Sequence, residues 1–164
     1  MDSFNKFVCT SILIVTSPTF IYSQHIFEEK QYGCNYDGMS LENSKITIEF
    51  SSYKELYEAL TKDVEGKVLM KVKGKIMMQI VIEPNGSSCC VSISNKTNVS
   101  SNKLELVRNI NSLTGWKSLS DNPNRRTCIL LSFNFGEKDI TIERLGSNAL
   151  REPTVLETFK LERK

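Results

Sequence analysis

Histidine is nearly missing from this chain: His25 is the only one among 164 residues. A catalytic nucleophile needs a base within reach, most often histidine, so Ser–His and Cys–His hydrolysis lack a partner here and no catalytic residue is assigned. No C-x-x-C pair, G-x-G-x-x-G or P-loop pattern occurs, which leaves metal and cofactor sites without ligands. Adjacent carboxylates such as Glu28 and Glu29 do not by themselves place two acids on one substrate, and Met77–Met78 reads as core packing rather than a copper site. Charge of one sign is also scarce. Net charge is only +2 and no dense basic stretch appears, which argues against nucleic acid. There is no internal repeat and no low-complexity linker.

What the sequence does have is an almost uncharged run from Phe7 to Ile21 behind a short polar leader. It is interrupted by Pro18 and is shorter than the ~20 apolar residues that span a bilayer. It reads as a secretory signal peptide over residues 1–24, cut after Ser23 or Gln24. An uncleaved anchor or a buried core helix are the alternatives. Export makes the expected location periplasmic, cell-surface or secreted, with no membrane span after cleavage. It also sets how the cysteines are read. Cys9 would leave with the signal, and Cys34, Cys89, Cys90 and Cys128 remain as disulfide candidates. Neighbours rarely bridge each other, so Cys89 and Cys90 are expected to reach Cys34 and Cys128, in either pairing. Small buried thiols are the alternative.

Residues 25–44 read as an irregular lead-in, 45–145 as one α+β domain and 146–164 as a mostly exposed polar tail. Ile46–Phe50 alternates as a short strand. Ser52–Thr61 is a helix, with Tyr53, Leu56, Tyr57 and Leu60 on one side and a Ser52/Glu55 capping box. Val68, Met70 and Val72 alternate with lysines as a second β region. Lys75–Glu83 is a stronger strand, with Ile76, Met78, Ile80 and Ile82 on one face. Glu83-Pro84-Asn85-Gly86 supplies turn chemistry, and Ser87–Ser94 returns with Cys89, Val91 and Ile93 sharing a face. A helix follows from about Lys103 to Leu113, capped by Asn102 with Glu105. Gly115 ends it before Trp116, read as a core plug. Thr127–Phe135 is a strand, and Asp139–Arg144 adds an edge strand. The expected fold is an antiparallel sheet of four or five strands packed by two helices, its other face open to solvent.

From Gly74 to Phe135 this order resembles the C-terminal domain of TonB and its relatives. The resemblance is carried by the segment Gly74-Lys75-Ile76-Met77-Met78-Gln79-Ile80-Val81-Ile82-Glu83-Pro84-Asn85-Gly86. The return strand through Val91 and Ile93, the helix with Leu106 and Ile110, Trp116 after it, and the strand Ile129–Phe135 complete the match. With no Pro-rich spacer, the resemblance implies a free-standing exported domain of the bacterial envelope that acts by protein contact, not catalysis, and needs no cofactor. It implies strand addition by a protein or peptide partner, an outer-membrane receptor being one such partner linked to transport. The docking edge would be Thr127, Ile129, Leu131, Phe133 and Phe135, unless Ile140–Glu143 pairs onto it. The lysines at 67, 71, 73 and 75 read as charges that blunt an exposed edge. Three Asn-x-Ser/Thr triplets, at Asn85, Asn95 and Asn98, keep open a secreted, disulfide-stapled enzyme or inhibitor.

Overall fold

The computed structural model describes residues 25–35, 37–41, 48–118, 124–146 and 153–160. Residues 1–24, where a signal peptide is expected, and the residues of the lead-in and tail between those spans lie outside the described residues. Among the described residues no helix is long and apolar enough to cross a membrane.

The strands are β1 (Glu29–Lys30), β2 (Ser40–Leu41), β3 (Ile48–Glu49), β4 (Gly74–Ile82), β5 (Ser88–Thr97), β6 (Lys117–Ser118), β7 (Thr127–Phe135), β8 (Asp139–Leu145) and β9 (Thr154–Lys160). Helices α1 (Tyr53–Thr61), α2 (Gly66–Leu69) and α3 (Leu106–Asn111) lie between them. One sheet runs β1-β5-β4-β7-β8-β9, with β2 joining β7 in parallel; β3 and β6 form a separate two-stranded pair. The α+β expectation is therefore met in class, but the main sheet has seven strands among the described residues rather than four or five, and three short helices instead of two.

The hairpin β4–β5 forms where alternation and turn chemistry place it. Glu83 N–H donates to Ser87 O (2.8 Å), and Gly86 N–H to Glu83 O (2.9 Å). Gly86 sits at φ +83, a left-handed backbone that glycine adopts without Cβ strain. Its carbonyl accepts from Gly115 and Trp116 N–H (3.0 and 3.3 Å), so the turn is seated against the loop after α3. Trp116 is buried and meets Phe50 edge-on at 5.1 Å, a core position as expected.

Three local expectations fail. The alternating Val68–Met70–Val72 segment is not a strand: α2 and its following turn take it, with Met70 N–H donating to Gly66 O. The third helix is shorter than expected and starts at Leu106. Glu105, at φ 50, stands at its N-cap without a side-chain hydrogen bond, so the expected Asn102/Glu105 cap is not formed. In β5 the register steps between Gln79 and Ile80: Gln79 faces Ser92 but Ile80 faces Cys90, leaving Val91 as the extra residue. This bulge puts Ile93 with the helix-side core and Val91 with the opposite side, so the two do not share a face.

The helix-side core holds Leu56, Leu60, Ile76, Met78, Ile80, Ile93, Ile110, Leu131, Phe133 and Ile142, all essentially inaccessible. Helix α1 enters it through Leu56, Tyr57 and Leu60. Ser52 Oγ accepts from Glu55 N–H (3.3 Å), while the Glu55 carboxylate takes the Ser51 hydroxyl (2.8 Å). Asn109 of α3 is buried and donates through Nδ2 to Leu60 O (2.7 Å), supplying a partner to a carbonyl near the C-terminus of α1. Asn109→Ala should leave that carbonyl unpaired and cost about 1–3 kcal/mol in urea denaturation, while Asn109→Asp should not restore it.

The other face of the sheet does not simply meet solvent. A smaller core of Phe27, Val81, Val91, Cys128, Leu130 and Leu145 lies there, with Cys34, Met39 and Leu41 packed against it. Residues 25–35 and 37–41 thus form a strap across this face, and the lead-in is irregular only in part.

Two buried acids make stability fall at alkaline pH. Burial pushes the Cys90 thiol up to about 12 and the Tyr57 hydroxyl up to about 12. Each holds its proton better when folded, so their contributions are complete below the unfolded values of ~8.5 and ~10 and are lost as pH rises toward 12. Cys90→Ala should flatten the loss of stability between pH 9 and 11 relative to the parent, measured by denaturant midpoints at each pH.

Candidate interaction edge

Strand addition requires a row of backbone N–H and C=O groups with no neighbour. The strand assigned to this role from sequence, Thr127 to Phe135, has none to offer. All nine residues of β7 pair with β4, from Gly74↔Phe135 to Ile82↔Thr127. Its other side pairs with β8 from Leu130↔Leu145 to Phe135↔Ile140, and with β2 at Ser40↔Thr127 and Leu41↔Cys128. Thr127, Ile129, Leu131, Phe133 and Phe135 are buried accordingly. The docking assignment is corrected: β7 is an interior strand. The physical reason is the one foreseen for Ile140–Glu143, since β8 occupies the edge. In turn β8 is not the edge either, because β9 covers it from Asp139↔Lys160 to Arg144↔Thr154. The segment read as a polar tail supplies this last strand.

The outer side of β5 is closed piece by piece. Ser88 N–H donates to Leu113 O, Cys90 N–H to Asn111 Oδ1 (2.7 Å), and β1 pairs with Ser92 and Ile93. Beyond them Asn95 folds the end on itself: its Oδ1 accepts from Thr97 N–H, and its Nδ2 donates to Val99 O and Ser101 Oγ. Asn98 likewise spans Lys73 N–H and Lys71 O (both 2.8 Å), so two of the three Asn-x-Ser/Thr triplets serve this loop.

Two strands end the main sheet among the described residues: β1, only two residues long, and β9, whose seven residues carry no pairing partner on their outer side. The strand is held from within. Glu157 Oε2 accepts from Lys54 N–H at the start of α1 (3.0 Å), where a carboxylate meets free amides and the positive helix end. Phe159 packs on Tyr57 at 5.2 Å, and Thr158 meets Thr141 across the ladder at 3.2 Å. Val155 is 58% exposed, one of the few large apolar side chains so placed. A register step between Ile142 and Glu143 bends the upper half, leaving Glu157–Lys160 as the regular stretch. Sequence reasoning missed β9 because Thr154–Lys160 mixes charge with single apolar residues, and the two that pack on the helix-side core, Leu156 and Phe159, lie three apart across the register step, so no period of two marks the strand.

Of the lysines at 67, 71, 73 and 75 read as edge guards, Lys73 pairs with Glu137 (3.2 Å) and Lys75 with Glu143 (2.9 Å). Two open polar hollows exist. One, of about 370 Å³, lies along Asn95–Asn102 beside Glu29; the other, of about 340 Å³, lies between Asp37, Glu83, Arg125 and Arg126. In the second, Arg126 Nε donates to both Glu83 oxygens (2.9 and 2.8 Å), so its charge is met. Neither is lined by histidine or cysteine, and no group of three metal-ligating side chains occurs among the described residues.

Of the four candidate cysteines, Cys34 and Cys89 form a disulfide across 55 residues. The second expected bridge does not form. Cys90 belongs to the helix-side core and Cys128 to the opposite one, so the sheet itself separates the two buried thiols. No protein-family model, curated protein or solved structure matches the chain.

Proposed function

We propose that the protein is an exported binding module that takes up an extended protein segment along the outer side of β9. The observation that carries this is the length of the open edge: β7 is interior, β5 is capped and the opposite edge strand β1 has two residues, whereas β9 offers the backbone groups of seven and an exposed Val155. A strand added there would gain main-chain hydrogen bonds, with Thr158 and Lys160 reading its side chains on one face and Glu157 and Phe159 on the other. Export is supported by the apolar run Phe7–Ile21 and by the Cys34–Cys89 bridge, which persists in oxidising compartments. The succession β4, turn, β5, α3, Trp116, β7 supports the TonB-like reading, with the docking strand moved two places outward. An envelope partner, such as an outer-membrane receptor, then meets β9.

Selection of a displayed library of extended peptides on the protein, followed by titration of a binder into isotope-labelled protein, tests this. Amide shifts should concentrate at Thr154–Lys160 and across the ladder at Asp139–Leu145. Binders that perturb α3 or the 95–102 loop instead, or a selection that enriches nothing, reject the reading.

A further inference from the structure

We infer that residues 25–41 are a redox-released strap: reduction of Cys34–Cys89 frees this segment from the sheet and uncovers the face beneath it, while the sheet stays folded. The inference does not rest on the role given to β9.

Without the bridge, few contacts hold the strap. Its ladder with β5 has two pairs, Glu29↔Ile93 and Lys30↔Ser92, extended by Gln31 N–H to Val91 O. Phe27 is its only fully buried apolar side chain among the described residues; Cys34, Met39 and Leu41 are half-buried and Tyr32 is 81% exposed. Its far end is tied by the two-residue pairing of β2 with β7 at Ser40↔Thr127 and Leu41↔Cys128, by Ser40 N–H to Arg126 O and through Asp37 O to Arg126. Such a short, shallow attachment is of the kind that opens locally without global unfolding.

The face below is built differently from the helix side. Where α1 and α3 dock, the sheet presents Ile76, Met78, Ile80, Leu131 and Phe133. Under and beside the strap it presents the apolar patch Val81, Val91, Cys128, Leu130 and Leu145 and, next to it, the buried polar side chains Gln79, Ser92, Ser94 and Ser132. Gln79 Oε1 accepts from the backbone N–H of Ile26 (3.0 Å) and from Ser92 Oγ (2.7 Å), and Ser92 Oγ accepts from Phe27 N–H (3.1 Å). Ser94 holds the Glu28 carboxyl below its usual range by hydrogen bonding. The Ile26 and Phe27 amides are thus read by side chains that water can satisfy equally once the strap leaves. The polar half of this floor tolerates both states, and the apolar half becomes the surface that release exposes.

The chemistry is confined to one bond. Cys34 and Cys89 are half-buried and reachable, whereas Cys90 and Cys128 are buried. A thiolate of a dithiol reductant attacks one sulfur of the bridge, the S–S bond breaks to a mixed disulfide, and the reductant's second thiol displaces the protein sulfur. Two electrons and two protons pass to Cys34 and Cys89, and the reductant leaves as its own disulfide.

Hydrogen exchange of the native protein before and after dithiothreitol, with mass-spectrometric mapping of alkylated thiols, tests this. After reduction, residues 25–41 and the Ser92–Ser94 edge should reach full exchange at least ten times sooner, while β4, β7 and β8 stay protected. Iodoacetamide should label Cys34 and Cys89 and spare Cys90 and Cys128, and reoxidation should restore protection. The Cys34→Ser/Cys89→Ser variant should reproduce the reduced pattern without any reductant. Unchanged exchange over 25–41 would show that the non-covalent contacts suffice and overturn the inference. Labelling of all four thiols would overturn it too, since the bridge would then hold the whole fold.

Discussion

Phe133→Ala should remove about 3–5 kcal/mol of folding stability, seen as a fall in Tm on the order of 10 °C for a chain of this size. Phe133 lies in the middle of β7, 2% exposed, between Ile76 of β4 and Ile142 of β8 and beneath the helices. Truncation there removes a ring from a space closed on all sides, so lost transfer energy and the residual cavity add. The same substitution on an edge strand, with one flank open, would cost far less because solvent and neighbours could fill the gap. A loss below ~1 kcal/mol would therefore restore the sequence-based view of Thr127–Phe135 as an open docking strand. Binding at β9, by contrast, should survive the substitution at temperatures where the variant is folded.

Gly86→Ala is expected to be nearly as damaging, at roughly 3 kcal/mol. Two effects combine. The residue has φ +83, where a Cβ is strained, and that Cβ would stand 2.7 Å from the backbone carbonyl oxygen of Trp116. Backbone cannot swing aside as a flexible side chain does, so either the turn or the Gly115–Trp116 loop must shift, breaking the hydrogen bonds to the Gly86 carbonyl. Trp116 is the sole tryptophan, which makes the site self-reporting. The folded variant should show red-shifted emission together with a lower denaturant midpoint. A loss of midpoint with unchanged emission would mean the strain stays inside the turn and Trp116 keeps its seat.

The parts legible from sequence are those whose determinants are local. Ile76, Met78, Ile80 and Ile82 alternate, Pro84-Asn85-Gly86 turns the chain, and the hairpin follows. Leu56, Tyr57 and Leu60 recur at helical spacing behind Ser52, and α1 follows. Where two periods fit equally, the reading fails: Val68, Leu69 and Val72 suit a short helix as well as Val68, Met70 and Val72 suit a strand, and four residues are too few to arbitrate. Strand order was legible only between neighbours in sequence, in the β4–β5 hairpin and the option of Ile140–Glu143 beside Thr127–Phe135. Nothing within Thr127–Phe135 says that β8 and then β9 will lie outside it; that depends on Glu157 reaching Lys54 and Phe159 reaching Tyr57, contacts about a hundred residues apart along the chain. The bridge was half legible. Parity of the cysteine count suggested two pairs, but the facing of Cys90 and Cys128 onto opposite sides of the sheet allowed one.

Choosing between adjacent cysteines is a problem of biosynthesis. The chain is made from its amino end, so Cys34 exists before either candidate mate, and Cys89 and Cys90 then arrive together. Mispairing with Cys90 would require that sulfur to turn outward, which means sliding β5 by one residue and inverting every side chain on it. The ladder with β4 forbids the slip once formed. Correct oxidation is thus templated by the hairpin: the chain must fold locally before it can be safely sealed.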